Sequence, residues 1–187
     1  MLSGLRMRTL GVPIASALLV CLVHGQTSPT DQVAINAPYV TSPPQVVNAM
    51  LDLAQVRSGD MVYDLGCGDG RIVISAARRY GARGVGIDIN PERIEEARAN
   101  AAAAGVNASV KFEVADVLTT DLQNASVVAL YLLPELNMRL RSRLMNELKP
   151  GTRVVSHSFD MGDWKPDKDV IVDGNHLYLW TIPSVRR

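Results

Sequence analysis

The sequence predicts one doubly wound α/β domain: a mainly parallel, seven-stranded sheet with helices on both faces and an antiparallel hairpin at its C-terminal end. Three observations predict it. From Gln45 onward, short apolar runs of strand length alternate with segments whose apolar residues recur at helical spacing. Three glycines at alternate positions follow the first of those runs in "YDLGCGDGRI", residues 63–72. Near the C-terminus, "DVIVDGNHLYLWTIP" places two strand-like runs around a Gly-Asn turn.

The chain opens with a segment that stands apart from this pattern. Arg6 and Arg8 precede an apolar stretch from Leu10 to Val23, shorter than the ~20 residues of a comfortable membrane span. Residues 1–25 are therefore expected to be a signal peptide or membrane anchor. Val23 and Gly25 supply small residues for cleavage before Gln26, and residues 10–23 would be the membrane attachment if cleavage does not occur. The expected location is then exported, periplasmic or extracellular, or membrane-anchored. Residues 26–42 are a polar, exposed lead-in, and the domain proper runs over 43–187.

Each element of the domain has its own signal. Ser42 is a candidate cap for a helix whose apolar face is Val46, Val47, Met50, Leu51 and Ala54. "DMVYDLG" is the first strand, and "RIVISAARRYG" is a helix stopped at Gly81. "GVGIDIN" is the second strand. Asn90 and Pro91 form a cap and first turn for the alanine-rich helix "ERIEEARANAAAAG". "VKFEVAD" alternates as a third strand, and "SVVALYLLP" is a continuous apolar fourth strand reaching Pro134. A basic amphipathic helix, "ELNMRLRSRLMNELKPG", and a fifth strand, "TRVVSHSF", precede the hairpin.

Composition narrows the function classes. Of 187 residues, 47% are hydrophobic and 20% charged, the balance of one globular domain. Lysine plus arginine equals aspartate plus glutamate at 19 each, and no basic stripe interleaves with aromatics, so no nucleic-acid surface is announced. The only cysteines are Cys21 and Cys67, which leaves no disulfide framework once the first segment is removed. The histidines and acids form no recognisable metal set.

In an open parallel sheet a ligand lies beyond the carboxyl ends of the strands, close to the first strand-to-helix turn. Gly66, Gly68 and Gly70 stand in that turn, where the missing Cβ would let backbone amides face a ligand. The spacing is not the Gly-x-Gly-x-x-Gly of a dinucleotide site, because position 71 is Arg. "VYDLGCGDGR" instead resembles the first motif of class I S-adenosylmethionine-dependent methyltransferases. That resemblance implies a Rossmann-like methyltransferase fold, with S-adenosyl-L-methionine as methyl donor. It implies that Asp64 holds the methionine amino group, that Asp88 in "GVGIDIN" accepts from the ribose hydroxyls, and that Asp116 in "EVAD" contacts adenine.

The segments "PYVTSPPQVVNAML", "YLLPELN" and "SHSFDMGDW" are most similar to bacterial relatives of the protein-lysine methyltransferases that act on mitochondrial membrane proteins. A fainter similarity is to the non-SET histone-lysine methyltransferases. The resemblance implies that Tyr39, Thr41 and Ser42 fold over the donor, a helix cap being the equal alternative for Ser42, and that the protein partner is reached through a lysine side chain. It also places Tyr131 and Pro134 where amino-methylating relatives carry an Asn-Pro-Pro-Tyr type turn, as groups that orient the acceptor. The amide of that turn is missing here, which argues against a nucleobase amine. A small-molecule N- or O-methyltransferase and a non-catalytic donor-binding protein stay open as alternatives. At the same sheet edge, Asp160, Asp163 and Trp164 are read as either the lining of an acceptor channel or, more ordinarily, an acidic loop anchored by one tryptophan, and His157 is read as a strand-end residue. An export signal conflicts with a donor that is made in the cytoplasm.

Overall fold

A computed structural model describes residues 40–184. The signal or anchor segment 1–25 and Tyr39 lie outside the described residues. Helix α1 (Pro44–Leu53) leads into strand β1 (Met61–Leu65); α2 (Arg71–Tyr80), β2 (Arg83–Asp88), α3 (Pro91–Ala103), β3 (Val110–Val114) and β4 (Val127–Leu130) follow. Then come α4 (Pro134–Glu147), β5 (Arg153–His157), β6 (Lys168–Val172) and β7 (Asn175–Thr181). The seven strands form one sheet in the order β3-β2-β1-β4-β5-β7-β6. All pairings from β3 through β5 are parallel, and β7 runs antiparallel to both β5 and β6. The expected architecture is the observed one.

The two-residue period of the strands divides the core. Val62, Val127, Ala129 and Val155 face one side, where they meet Val46, Met50 and Leu51 of α1, Val73 of α2 and Ile94 of α3. Tyr63, Leu65, Val128, Leu130 and Val154 face the other, against Leu140 and Leu144 of α4 and the fully buried Trp180. Burial on both faces is why these strands read as continuous apolar runs.

Helix ends follow local chemistry with one exception. The Asn90 side chain accepts from the Glu92 amide at 2.8 Å, and Gly81 closes α2 with φ of 65°. Ser42, by contrast, does not cap α1: the cap position is Pro43, whose extended backbone already suits a helix entry, and the serine hydroxyl is used elsewhere. The fourth strand ends at Leu130, so Pro134 does not terminate it. The proline is instead the exposed first residue of α4, where its missing N–H costs no helical bond. The hairpin turns at Asp173-Gly174, one residue earlier than expected, with φ of 49° and 77° as a primed turn requires.

From β1 the chain steps outward to β2 and β3, then crosses back to β4 on the other side. The reversal opens a crevice beyond the carboxyl ends of β1 and β4. At the opposite, amino end the strands are tied shut. Asp60 accepts from the Arg57 amide at 2.9 Å and from Ser126 Oγ at 2.8 Å, and it pairs with Arg153 at 2.6 Å.

Candidate functional site

The crevice is floored by the glycine turn. Gly66, Gly68 and Gly70 all have positive φ, at 81°, 52° and 79°. A Cβ on Gly66 would lie 2.5 Å from Leu132 Cδ2, and one on Gly70 would lie 2.6 Å from Phe112 Cε1, so conformation and space both demand glycine. The expectation that their amides face a ligand is corrected. Gly66 N–H donates to the Ile87 carbonyl at 2.8 Å, Gly68 N–H to Asp88 Oδ2 at 2.9 Å, and Gly70 N–H to the Cys67 carbonyl at 2.9 Å. Two of these donors are spent on β2 and one within the turn, as befits a site for a cation more than for a phosphate.

Asp64, in β1, is 2% exposed, and its Oδ2 has no hydrogen-bond partner. Burial, reinforced by the nearby charges of Asp88 and Asp69, pushes its pKa up to about 8. A buried carboxylate with a vacant acceptor lobe favours a cationic N–H donor that the protein itself does not supply. Asp88 ends β2 with both oxygens already oriented: Oδ1 accepts from the Asn90 amide at 2.9 Å and Oδ2 from Gly68. Each oxygen keeps a second lone pair for a hydroxyl donor. Asp116 follows β3, and its Oδ1 accepts from the Leu118 amide at 2.8 Å, which fixes the turn around it. The Ala115 amide donates to the Asp88 carbonyl at 3.1 Å, so the second and third acids stand side by side at adjacent strand ends.

Across the crevice, Tyr131 leaves β4 half-buried, with its ring stacked on His157 at 3.9 Å between centroids. Leu132 covers Gly66, which brings the loop after β4 directly onto the donor turn. Thr41 is half-buried beside Ser42 in the lead-in. Asp163 pairs with Arg141, and the Trp164 carbonyl accepts from Trp180 Nε1 at 2.8 Å; these residues brace the loop after β5.

Three features were missed in the sequence. Arg71 lies bidentate on Asp69, with its shortest contact 2.6 Å, and its Nη1 donates to the Ser42 carbonyl at 2.8 Å, clasping the lead-in to the turn. The "DGR" spacing displays the first pair, but no sequence signal joins Arg71 to Ser42. Burial alone would raise the Asp69 pKa, but the Arg71 bonds and charge hold it below the usual carboxylate range. Asn137 of α4 is fully buried, donating from Nδ2 to Ser156 Oγ and the Phe159 carbonyl, both at 3.3 Å, while its Oδ1 is unpartnered. Its place in "YLLPELN", one turn into an amphipathic helix, carries no signal of that burial. Phe112, the third, walls the turn at Gly70.

Among the described residues no group of three potential ligands could hold a metal ion. An open depression of about 350 Å³, lined by residues including Arg98, Asn107, Lys111 and Glu113, meets the site only through Phe112.

A seven-stranded sheet with this strand order, a glycine turn at its switch point and acids at three successive strand ends defines a class I methyltransferase that uses S-adenosyl-L-methionine. The chain belongs to the ANTKMT methyltransferase domain family, whose model matches residues 64–168. It is 45% identical over 152 residues to a protein-lysine N-methyltransferase of Saccharolobus islandicus, covering 79% of this chain and 94% of that one. It is 38% identical to the mouse adenine nucleotide translocase lysine N-methyltransferase over 71% of this chain and 57% of that protein, so it spans little more than half of the mouse relative. Among solved structures it is similar to one from Salinibacter ruber, named an RNA methyltransferase and crystallised with S-adenosyl-L-homocysteine. That similarity is 53% identity at a TM-score of 0.77, covering 78% of this chain and 95% of that one.

Proposed function

We propose that the chain N-methylates a lysine side chain of a protein. The observation that carries the donor half is Asp64, a buried carboxylate with a free oxygen lobe beneath the glycine turn. The acceptor half is supported by the name of the Saccharolobus islandicus relative, which this chain matches over nearly its whole length.

The donor, when bound, supplies an electrophilic methyl on a sulfonium sulfur. The remaining work is alignment and exclusion of water. Asp64 would receive the donor's amino group, Asp88 its ribose hydroxyls and Asp116 its adenine. On the acceptor side the lysine must first lose a proton, which an apolar surround favours by lowering its pKa. The Tyr131 hydroxyl and the carbonyls of the 131–133 loop would then accept from the remaining N–H groups and aim the lone pair.

One observation favours a second reading, methylation of RNA: the name of the Salinibacter ruber protein. The charges of α4 favour it less. Two of the arginines that make α4 basic are spent internally, Arg141 on Asp163 and Arg143 on Glu147 and the carbonyls of Val117 and Thr120. They are unavailable for tracking phosphates. Transfer of a tritiated methyl group to lysine-bearing protein and not to RNA supports the lysine reading; label in RNA alone overturns it.

Membrane attachment through residues 10–23, or export, is proposed on the sequence alone. Fractionation with a tag after Arg187 tests it, and recovery in the soluble cytoplasmic fraction overturns it.

A further inference from the structure

His157 ends β5 in a position no motif assigns to it, 1% exposed, at the meeting of three separate segments. Its Nδ1 lies 2.8 Å from Ser42 Oγ in the lead-in, its Nε2 lies 3.2 Å from Asn175 Oδ1 at the hairpin, and its face covers the Tyr131 ring at 3.9 Å. We propose that His157 is a positioning residue that locks the lead-in and the Tyr131 ring into one closed arrangement, so that holding the donor and aligning the acceptor are set together. The acceptor part of this rests on the lysine reading; the coupling of the lead-in to Tyr131 does not.

The proton arrangement follows from the partners. Asn175 Nδ2 donates to the Val172 and Asp173 carbonyls, at 3.4 and 3.0 Å, which turns its oxygen toward the imidazole. An amide oxygen only accepts, so His157 Nε2 carries the proton. Nδ1 is then an acceptor, and the Ser42 hydroxyl donates to it. Burial pushes the His157 pKa down, which keeps this single tautomer in place near neutral pH. The next residue, Ser158, has φ of 67°, a strained value for a side chain other than glycine. That turn in the backbone is held by the Ser158 amide donating to the His176 carbonyl at 2.8 Å.

Ser42 extends the lock to the donor turn. Its carbonyl accepts from Arg71, which grips Asp69 between Gly68 and Gly70. Asp69, Arg71, Ser42, His157 and Tyr131 thus form a continuous chain of bonds and one stack from the floor of the crevice to its acceptor wall. A histidine that only filled the core would need no partner in the lead-in, and Ser42 is 115 positions away.

The test uses the full chain labelled in its histidine and tyrosine rings, titrated with S-adenosyl-L-homocysteine. Long-range nitrogen NMR is expected to place the His157 proton on Nε2, and the Tyr131 ring signals are expected to shift on titration. Ser42→Ala removes one bond and should weaken S-adenosyl-L-homocysteine about three- to tenfold while shrinking the Tyr131 shift. His157→Phe keeps a ring against Tyr131 but loses both bonds, and should match Ser42→Ala. His157→Ala also loses the stack and should lower kcat on a lysine acceptor at saturating donor by about 30-fold or more, a larger loss than Ser42→Ala or His157→Phe produces. Circular dichroism establishes that each variant is folded; should His157→Ala unfold, Ser42→Ala and His157→Phe carry the test. A proton on Nδ1, or a Tyr131 signal in folded Ser42→Ala that responds as in the native chain, overturns the proposal. Failure of the native chain to methylate lysine overturns the acceptor reading alone, because the NMR and binding results need no acceptor.

Discussion

Asp60 and Asp64 stand four residues apart at the two ends of one strand, both buried, at 5% and 2% exposure, and their environments are opposite. Asp60 has Arg57, Ser126 and Arg153 around it; burial would raise its pKa, but those bonds and the arginine charge outweigh burial and lower it. Asp64 has an orphan oxygen and two acids nearby, and its pKa is raised. The same residue type closes the amino end of the sheet and leaves the carboxyl end open for something from outside. A fully satisfied buried charge serves stability, whereas an unsatisfied one is retained at a cost that a ligand offsets.

Removing each acid should therefore have different consequences. Asp60→Ala leaves the Arg153 guanidinium without its carboxylate and should cost about 3–5 kcal/mol of stability in urea unfolding. Its affinity for S-adenosyl-L-homocysteine should stay within about twofold of native, since the crevice lies at the other end of the sheet. Asp64→Asn should do the reverse, losing about 10- to 150-fold in affinity for S-adenosyl-L-homocysteine without loss of stability at pH 8. Equal losses of stability in the two variants would break the contrast.

Titration sharpens it, because the two acids have opposite signs. The stability contributed by Asp60, whose folded pKa is lowered, is complete above the unfolded value of about 4 and disappears as the pH falls through the folded value. The contribution of Asp64 is complete below about 4 and disappears as the pH rises through about 8. At pH 7, then, the free protein holds a proton on Asp64 that a bound ammonium group would expel. Calorimetry of S-adenosyl-L-homocysteine binding in buffers of different ionisation enthalpy should register release of up to about one proton at pH 7, and none in Asp64→Asn. A binding heat independent of buffer in the native chain would show that Asp64 is already ionised.

The donor side was legible in the sequence because it is built locally. One strand, one turn and the next strand's last residue supply Asp64, the glycines and Asp88, and the two-residue period fixes which way they face. What the sequence could not display was how deep Asp64 lies and that the turn's amides are already taken, since both depend on Ile87 and Asp88 arriving from the neighbouring strand. The acceptor side is built from residues far apart. Ser42 resembles a helix cap, and its partner is His157. The run "YLLP" reads as strand because it is apolar, yet the ladder with β1 and β5 stops at Leu130. Hydrophobicity marks burial, and Leu132 is apolar because it covers Gly66, not because it pairs.

The smallest expected effect separates the two halves of the crevice. Tyr131→Phe keeps the ring stacked on His157 and deletes only the hydroxyl. If that hydroxyl accepts from the incoming amine, kcat with a lysine acceptor should fall about two- to tenfold, the worth of one neutral hydrogen bond, while S-adenosyl-L-homocysteine affinity stays unchanged. A loss in donor affinity instead would place Tyr131 on the donor side of the crevice with Asp64. No change in either would leave the carbonyls of the 131–133 loop as the groups that aim the amine, a role that backbone can fill because a methyl acceptor needs lone pairs directed at its N–H groups and nothing more.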